Sequence, residues 1–258
     1  MLLESQQPTS PAPVSAELIS LTVIVPCFNE EDGLDQLADR LKTLRSHFSE
    51  RLDFEFIFVD DGSTDNTAEG LDNRFQQFAW ARVIRHERNQ GITAAILTGV
   101  QNAANELVAS MDADCTFDPM QICSLVDMMN DDVAMVTASP YHPKGSVEGV
   151  PVWRLILSKG ASKCYAILLG TSLHTYTSCF RVFRRSFLEN IEVRDRGFAG
   201  VTEMLWQVHR SGGKIVEAPA CLTSRRVGCS KLRTIPVIIS HIKLMNRILF
   251  HRLFRSKI

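Results

Sequence analysis

The stretch ASMDADCTFDP carries three aspartates, Asp112, Asp114 and Asp118, directly after the apolar run ELVAS. A single aspartate at the end of a strand most often caps a helix or forms a turn. Two aspartates one residue apart on an extended chain point to the same side, so both carboxylates can reach one ion. The stretch therefore suggests binding of a hard divalent cation.

The residues around these acids predict alternating strands and helices. Four apolar runs are typical of strands, and the first is expected to stop at Pro26: LISLTVIVPCF, FEFIFVDD, ARVIRHE and ELVASMD. Helical segments separate them, one beginning near Thr64 and one with apolar residues at 34, 37, 41, 44 and 48. Consecutive strand–helix units predict an α/β fold with a mostly parallel central sheet and helices on both faces.

Three of these strands end in acidic or amide side chains: Asn29 and Glu30, then Asp60 and Asp61, then Asp112 and Asp114. Ligands of open parallel sheets bind beyond the carboxyl ends of the strands. Like charges gathered there repel unless a cation offsets them, and hard oxygen ligands suit Mg²⁺ or Mn²⁺ shared with substrate phosphates. The chemistry implied is departure of a nucleoside diphosphate, with the metal bearing the developing charge.

The overall composition excludes several classes of protein. A formal charge of -1 over 258 residues argues against a nucleic-acid partner. The seven cysteines form no C-x-x-C pair, which is typical of reduced thiols in a cytosolic protein. Residues 1–17 contain no signal peptide and are expected to be a disordered lead-in. No apolar run approaches the ~20 residues of a membrane span.

The charge is unevenly distributed along the chain. No acid occurs from Ala218 to Ile258, where nine Lys and Arg residues lie. Residues 233–258 predict a basic amphipathic helix, with apolar residues at 235, 238, 239, 242, 245, 249 and 253 and with Ser240, Lys243, Arg247, His251 and Arg255 opposite. Such a helix could lie on an anionic membrane surface. The alternative is a helix that packs on the catalytic domain or on a membrane-protein partner subunit.

Several motifs resemble the family 2 glycosyltransferases: TVIVPCFNEEDGL, IFVDDGSTDNT, HERNQGITAAILTGV and MDADCTFDP. Further segments are similar to the dolichyl-phosphate mannosyltransferases and their bacterial polyprenyl-phosphate relatives: WRLILSKGASKCYAILLG, TSCFRVFRR and SRRVGCSKL. The resemblance runs from about Leu21 to Leu232. It implies a single nucleotide-sugar-binding domain of the glycosyltransferase A type over residues 18–232.

The resemblance also implies a donor site. By position, the residues expected to contact the nucleotide sugar, with a GDP or UDP base, are Pro26, Phe28, Glu30, Val59, Asp61, Asp112, Ala113, Asp114, Arg225 and Lys231. Asp112 and Asp114 would hold the metal and the diphosphate, and Thr116 would add a polar metal contact. Arg225 and Lys231 would lie on a loop that closes over the diphosphate, although taken alone they predict no more than an exposed basic loop.

The acceptor site is implied in the same way. Arg154 and Ser158 stand one helical turn apart and match an acceptor-phosphate site, where arginine forms a forked clamp. The relatives have a second arginine where this chain has Pro140, so Lys144 or His142 is a candidate substitute. Relatives often have aspartate where this chain has Ser224, a departure that concerns loop geometry. Arg181 lies in a family motif and is expected either to serve the site or to pair with core acids.

Glu203 decides between two types of acceptor. A phosphate monoester is already ionised near neutral pH and needs no base, whereas a sugar hydroxyl needs one within hydrogen-bond reach. Glu203 matches the position of a catalytic base in many family 2 enzymes. It could equally be a helix acid that orients an Arg or Lys near the site.

The predicted function is that of an inverting glycosyltransferase that moves a sugar to polyprenyl phosphate at the cytoplasmic face of the membrane, where the protein is peripheral. Its catalytic residues are expected to be Asp114 and Arg154, with Glu203 if a base is required. One alternative is transfer to a hydroxyl of a lipid or glycan. Another is a nucleotide-sugar-binding subunit without turnover.

Overall fold

The computed structural model describes residues 18–189, 191–225 and 234–255. The expected lead-in over residues 1–17 and Lys231 lie outside these ranges. The first half of the chain alternates strands and helices as predicted: β1 (Ile19–Cys27), α1 (Leu34–His47), β2 (Leu52–Asp60), α2 (Thr67–Phe75), β3 (Ala81–Arg85), α3 (Ile92–Asn102) and β4 (Leu107–Ser110).

The second half adds α4 (Ile122–Val126), β5 (Val133–Ser139), β6 (Ser146–Glu148), α5 (Val152–Leu169), β7 (Arg181–Arg184), α6 (Phe198–Arg210), β8 (Lys214–Pro219), β9 (Cys221–Thr223) and α7 (Thr234–Arg255). Short 3₁₀ helices occupy Glu31–Gly33, Pro119–Gln121 and Arg185–Phe187. No helix within the described ranges is long and apolar enough to cross a membrane.

A seven-stranded sheet in the order β3-β2-β1-β4-β7-β5-β8 forms the centre of the domain. The pairs β1–β2, β2–β3 and β1–β4 are parallel, which confirms the mostly parallel α/β fold. Leu34, Leu37, Leu41 and Leu44, the apolar repeat of α1, are buried against one face of the sheet. Residues of α3, α6 and α7 cover the other face, so β1 and β2 are buried on both sides.

Two boundaries differ from the sequence prediction. β1 continues through Pro26 to Cys27, and Pro26 stays in register with Val59 of β2. The missing N–H of Pro26 is tolerated because the pairing of β1 with β4 has already ended at Ile24 and Ser110. The second helix begins at Thr67 rather than near Thr64, because residue Gly62, with φ of 68°, starts a turn.

The antiparallel strand β7 was not predicted. It lies between β4 and β5 and runs antiparallel to both. A separate two-stranded sheet pairs β6 with β9. Thr223 at the end of β9 donates its backbone N–H and its hydroxyl to the carbonyl of Thr116, at 2.8 and 3.1 Å. The chain after β9 is thereby held beside the aspartates that follow β4.

The C-terminal helix α7 lies against the domain. Leu244 and Ile248 are buried between α7 and the helices α5 and α6. Most of the predicted apolar stripe lies on the opposite side, where it is exposed: Ile235, Ile238, Ile239, Ile242, Leu249 and Leu253. Part of the predicted basic face instead turns inward, since Arg247 forms an ion pair with Glu203. The helix is therefore packed on the domain and still presents an apolar surface.

Candidate active site

The loop after β1 is folded onto the loop after β2 by its own polar groups. Asn29, in the left-handed region with φ of 54°, donates its N–H to Ser63 Oγ and accepts from Thr64 N, at 2.9 and 2.8 Å. The N–H of Glu30 donates to Thr67 Oγ1 at 2.7 Å. These bonds leave the Glu30 carboxylate at the carboxyl edge of the sheet, where the sequence placed it.

Asp112 and Asp114 lie in a turn and not on an extended strand. β4 ends at Ser110, and the turn is closed by Cys115, which has φ of 52° and donates its N–H to the Asp112 carbonyl at 3.4 Å. One oxygen of Asp114 accepts from Thr116 N at 3.1 Å. The expectation that strand alternation aligns the two carboxylates was wrong, because the backbone bends between them.

The electrostatics of the pair still favour a cation. Burial, followed by the negative charge of Asp114, raises the pKa of Asp112 to about 7, while the Cys179 thiol and the charge of Arg225 act in the opposite direction. No group of three or more His, Cys, Asp and Glu among the described residues is arranged as a metal centre. Two carboxylates with room for further ligands fit a cation that shares its coordination with substrate phosphates.

Arg225 connects two of the predicted site residues. Its Nη2 donates to both oxygens of Glu30, at 2.6 and 2.7 Å, and its Nε donates to Asp114 Oδ2 at 3.1 Å. All three side chains are 20% exposed or less. The structure thus brings Glu30, Asp114 and Arg225 together, as the sequence predicted for the donor site.

Asp61 and Val59 are placed differently. Asp61 accepts from the backbone N–H of Gln90 and Gly91 at 2.9 and 2.8 Å, and His86 Nδ1 lies 2.7 Å from its Oδ1. Val59 has no exposed surface. The side chains of Asp61 and Val59 are buried beneath the carboxyl edge of the sheet, whereas Pro26 and Phe28 are partly exposed. Ala113 is 7% exposed, and the carbonyl of Thr116 holds β9 as described above.

The acceptor residues lie near the start of α5. Ser158 Oγ is 3.1 Å from Thr177 Oγ1, and Tyr141 also hydrogen-bonds to Ser158. The guanidinium of Arg154 lies 5.3 Å from the centre of the Trp153 ring, and its buried Nε has no hydrogen-bond partner in the part of the chain that the structure describes. One residue separates Thr177 from Cys179, whose thiol bonds to Asp112, so the Cα atoms of Thr177 and Cys179 are at most about 7 Å apart.

Thr177 and Tyr141 were missed by sequence reasoning because they are distant from Ser158 in the chain and reach it only through the fold. Within the described ranges, neither suggested substitute for the missing arginine forms a side-chain hydrogen bond to Ser158, Thr177 or Tyr141. The His142 ring faces that of His174 at 5.8 Å, and Lys144 is exposed. Lys159, in contrast, lies with its Nζ 5.2 Å from the centre of the Tyr141 ring.

Glu203 is 1% exposed, and both of its oxygens are engaged. One forms the ion pair with Arg247, and the other accepts from the backbone N–H groups of Arg194 and Asp195, at 3.1 and 3.0 Å. The geometry contradicts the role of catalytic base, because a base must reach the acceptor proton. It agrees with the alternative of a helix acid that orients an arginine.

Arg181 is a fully buried cation. It donates to the carbonyls of Val201 and Tyr176 at 2.5 and 2.6 Å, and burial lowers its pKa to about 10. The expectation that it pairs with core acids was wrong, because its hydrogen-bond partners among the described residues are carbonyls. It fixes the segment that precedes Cys179 against α6, and so supports the acceptor side of the site.

A mixed α/β sheet with carboxylates beyond its carboxyl edge has the architecture of the glycosyltransferase A type of enzyme. Residues 22–192 match the family model for Glycosyl transferase family 2, and the chain belongs to that family.

Two relatives show which members of the family this chain is similar to. It is 30% identical over 221 residues to polyprenol monophosphomannose synthase of Mycolicibacterium smegmatis, covering 81% of this chain and 80% of the relative. It is 29% identical over 217 residues to dolichol-phosphate mannosyltransferase of Pyrococcus furiosus, covering 83% of this chain and 60% of the relative.

The fold resembles a crystal structure of glucosyl-3-phosphoglycerate synthase from Mycobacterium tuberculosis in complex with Mn²⁺, uridine-diphosphate-glucose and phosphoglyceric acid. The TM-score is 0.64 at 18% identity, covering 94% of this chain and 85% of the other. At this level of identity the likeness concerns the fold.

Proposed function

We propose that this glycosyltransferase moves a sugar from a nucleotide-diphosphate donor to a polyprenyl phosphate, with inversion at the anomeric carbon. The observation that carries the proposal is the contact of Ser158 with Thr177, one helical turn from Arg154 and two positions from the Cys179 that bonds to Asp112, combined with a Glu203 that is not available as a base. Such a site suits an acceptor that is already ionised. The names of both relatives refer to polyprenyl or dolichol phosphate, which supports the same class of acceptor.

On the donor side, Asp112 and Asp114 would hold a divalent cation, Mg²⁺ or Mn²⁺, with Thr116 as the further polar contact predicted from sequence. The cation supplies charge stabilisation for the leaving diphosphate. Arg225 would bind the same diphosphate, with Lys231 as its predicted companion. Glu30, Pro26 and Phe28 would form the accessible wall for the nucleoside, and Asp61 holds the neighbouring backbone at Gln90 and Gly91.

On the acceptor side, Arg154 would bind and orient the phosphate by forked hydrogen bonds. The hydroxyls of Ser158, Thr177 and Tyr141 can each donate to a phosphate oxygen. Lys159 provides a second cation at the same helix and is a candidate for the role of the missing arginine. A phosphate oxygen so held attacks the sugar directly, and no proton has to be removed from it.

A long-chain lipid acceptor must be reached at a membrane, and α7 offers a surface for that purpose. Besides the stripe named above, Phe250 and Phe254 are exposed on α7, and Val152, Ile156 and Ile167 are exposed on the adjacent α5. The described part of α7 has no acid, and Lys243 and Arg252 are exposed on it. We propose that this surface lies on anionic lipid at the cytoplasmic face, in preference to a partner subunit.

Substitutions test this surface better than deletion of α7, which would also uncover Glu203. We expect Ile239→Glu combined with Phe250→Glu to weaken cosedimentation with anionic vesicles on the order of 100-fold, because two exposed apolar side chains would no longer insert. Met128→Glu, at an exposed apolar residue just after α4, is the matched control and should sediment as the wild type does. Equal sedimentation of all three proteins would show that the membrane contact lies elsewhere.

Product analysis tests the function itself. The protein is incubated with a panel of GDP- and UDP-linked sugars, a divalent cation and polyprenyl phosphate in detergent. The expected product is a sugar joined to the lipid through a phosphodiester, which mild acid cleaves. A product resistant to mild acid would indicate transfer to a hydroxyl. Nucleotide binding without turnover of any donor would indicate a binding subunit.

A further inference from the structure

Glu203 is the point at which three segments of the chain meet. Its helix α6 covers the sheet, its Oε1 pairs with Arg247 of α7, and its Oε2 accepts from the N–H groups of Arg194 and Asp195. The carboxylate is almost fully buried, whereas the Arg247 side chain is 27% exposed. A buried carboxylate that loses its cation is strongly destabilised. The position of the segment 194–195 therefore depends on Arg247.

The segment 194–197 is in turn fixed to the start of α3. Asp195 Oδ1 accepts from the N–H of Gly197 and Gly200 at 2.9 and 3.2 Å. The carbonyl of Arg196 accepts from Thr93 N at 2.8 Å, and Thr93 Oγ1 donates to the Gly197 carbonyl at 2.6 Å. Asp195 also approaches Gly200 so closely that no other residue fits there: a Cβ at position 200 would lie 1.9 Å from the Asp195 carbonyl oxygen. The segment 194–197 is therefore fixed to the start of α3.

The residues just before α3 contact both the segment 194–197 and Asp61 at the donor edge of the sheet. Arg196 Nη1 donates to Gln90 Oε1 at 3.1 Å, and the N–H groups of Gln90 and Gly91 hold the two oxygens of Asp61. Gly91 has φ of 101°, and a Cβ there would lie 2.4 Å from the Arg196 carbonyl oxygen. Asp61 follows the last residue of β2 directly. Hydrogen bonds and one ion pair thus connect α7 continuously to the donor side of the sheet.

We propose that Glu203 and Arg247 are positioning residues that make nucleotide affinity depend on the docking of α7. Arg247 neutralises Glu203, Glu203 holds the segment 194–195, and that segment holds the loop that shapes the donor edge around Asp61. The surface helix is thereby a structural part of the donor site as well as a candidate membrane contact. This inference rests on the proposed function only in taking the donor to be a nucleotide sugar.

The test compares Arg247→Met with Arg252→Met. Both remove one positive charge from α7, but among the described residues Arg252 donates to the carbonyls of Ile167 and Leu168 at the end of α5 and to no carboxylate. Calorimetry with GDP and UDP in Mn²⁺, without acceptor or lipid, should show affinity lowered on the order of tenfold by Arg247→Met. Arg252→Met should leave it unchanged. Glu203→Gln should lower nucleotide affinity about as much as Arg247→Met does. The variant with both substitutions, Glu203→Gln and Arg247→Met, should lose less affinity than the product of the two single fold-changes.

A second measurement does not require that any nucleotide binds. Amide hydrogen exchange at Gln90, Gly91 and Thr93 should be faster in Arg247→Met than in the wild type and unchanged in Arg252→Met. If Arg247→Met does not fold, Arg247→Lys serves in its place, with smaller effects of the same sign. Unaltered exchange in the 247 variant, or equal effects of the 247 and 252 variants, would overturn the inference. A wild-type protein that binds neither nucleotide would contradict the proposed function instead.

Discussion

Replacement of Asp114 by Asn is expected to lower the rate of sugar transfer on the order of 10²–10³-fold. Asp114 is half of the carboxylate pair proposed for the cation, and it also holds Arg225 at 3.1 Å. An amide keeps the shape of the side chain but removes the charge that a divalent cation requires. Steady-state transfer assays, together with nucleotide calorimetry with and without Mn²⁺, measure the effect. In the variant, the metal should no longer improve nucleotide affinity.

Asp118→Asn is the matched control for this experiment. Asp118 belongs to the same acidic stretch, but it accepts from Met120 N at 3.0 Å and pairs with Arg40 at 2.8 Å. It is thus a helix cap, a role that Asn can also fill, so its replacement should cost no more than about 1 kcal/mol of stability through the lost ion pair with Arg40, with little loss of transfer. The metal assignment would be refuted if Asp114→Asn bound the nucleotide equally well in metal and in chelator, and as tightly as the wild type does with metal.

The second large effect is expected at Arg154. Arg154→Ala should lower transfer to polyprenyl phosphate on the order of 10²-fold, because the acceptor phosphate loses its charged partner. Nucleotide affinity should be unchanged, since none of the contacts of Arg154 reaches the donor residues. Lys163→Ala removes an exposed cation from the same helix and should behave as the wild type does. Transfer rates at saturating donor and varied acceptor separate these variants.

The same assay decides the type of acceptor. If the acceptor is a hydroxyl, Arg154→Ala should resemble the Lys163→Ala control. Glu203→Gln would then lower the maximal rate of transfer itself, on the order of 10²–10⁴-fold. On the proposal made here, Glu203→Gln acts on nucleotide affinity, and the maximal rate at saturating donor is largely retained.

The donor half of the molecule was predictable because its signals are local. Each strand of the first half is a short apolar run, each is followed by its own helix, and parallel strands expose their carboxyl ends at one edge. The sequence alone therefore predicts Glu30, Asp61 and Asp114 at one edge of the sheet. The motif order further identified the family, which the comparisons confirmed.

The acceptor half was predicted less well because its contacts join distant parts of the chain. The insertion of β7 between β4 and β5 depends on side-chain packing that no local pattern reveals. The pairing of Glu203 with Arg247 spans 44 residues. The turn that contains Asp112 and Asp114 is closed by Cys115, which adopts a positive φ that its residue type does not suggest. The orientation of α7 was uncertain because an apolar stripe does not say which side of it faces the domain.

Arg225 gives the acidic edge an internal counter-ion, bound by three hydrogen bonds to Glu30 and Asp114. If a metal ion binds Asp114, it would exchange one neutralising partner for another, so its net gain would be the difference between two attractions. A metal ion alone would therefore gain little at this edge. A diphosphate bound together with the metal would offer the displaced guanidinium a new anionic partner. On the proposed assignment the two ligands would favour each other's binding, and Arg225 would neutralise Glu30 and Asp114 again once both had left.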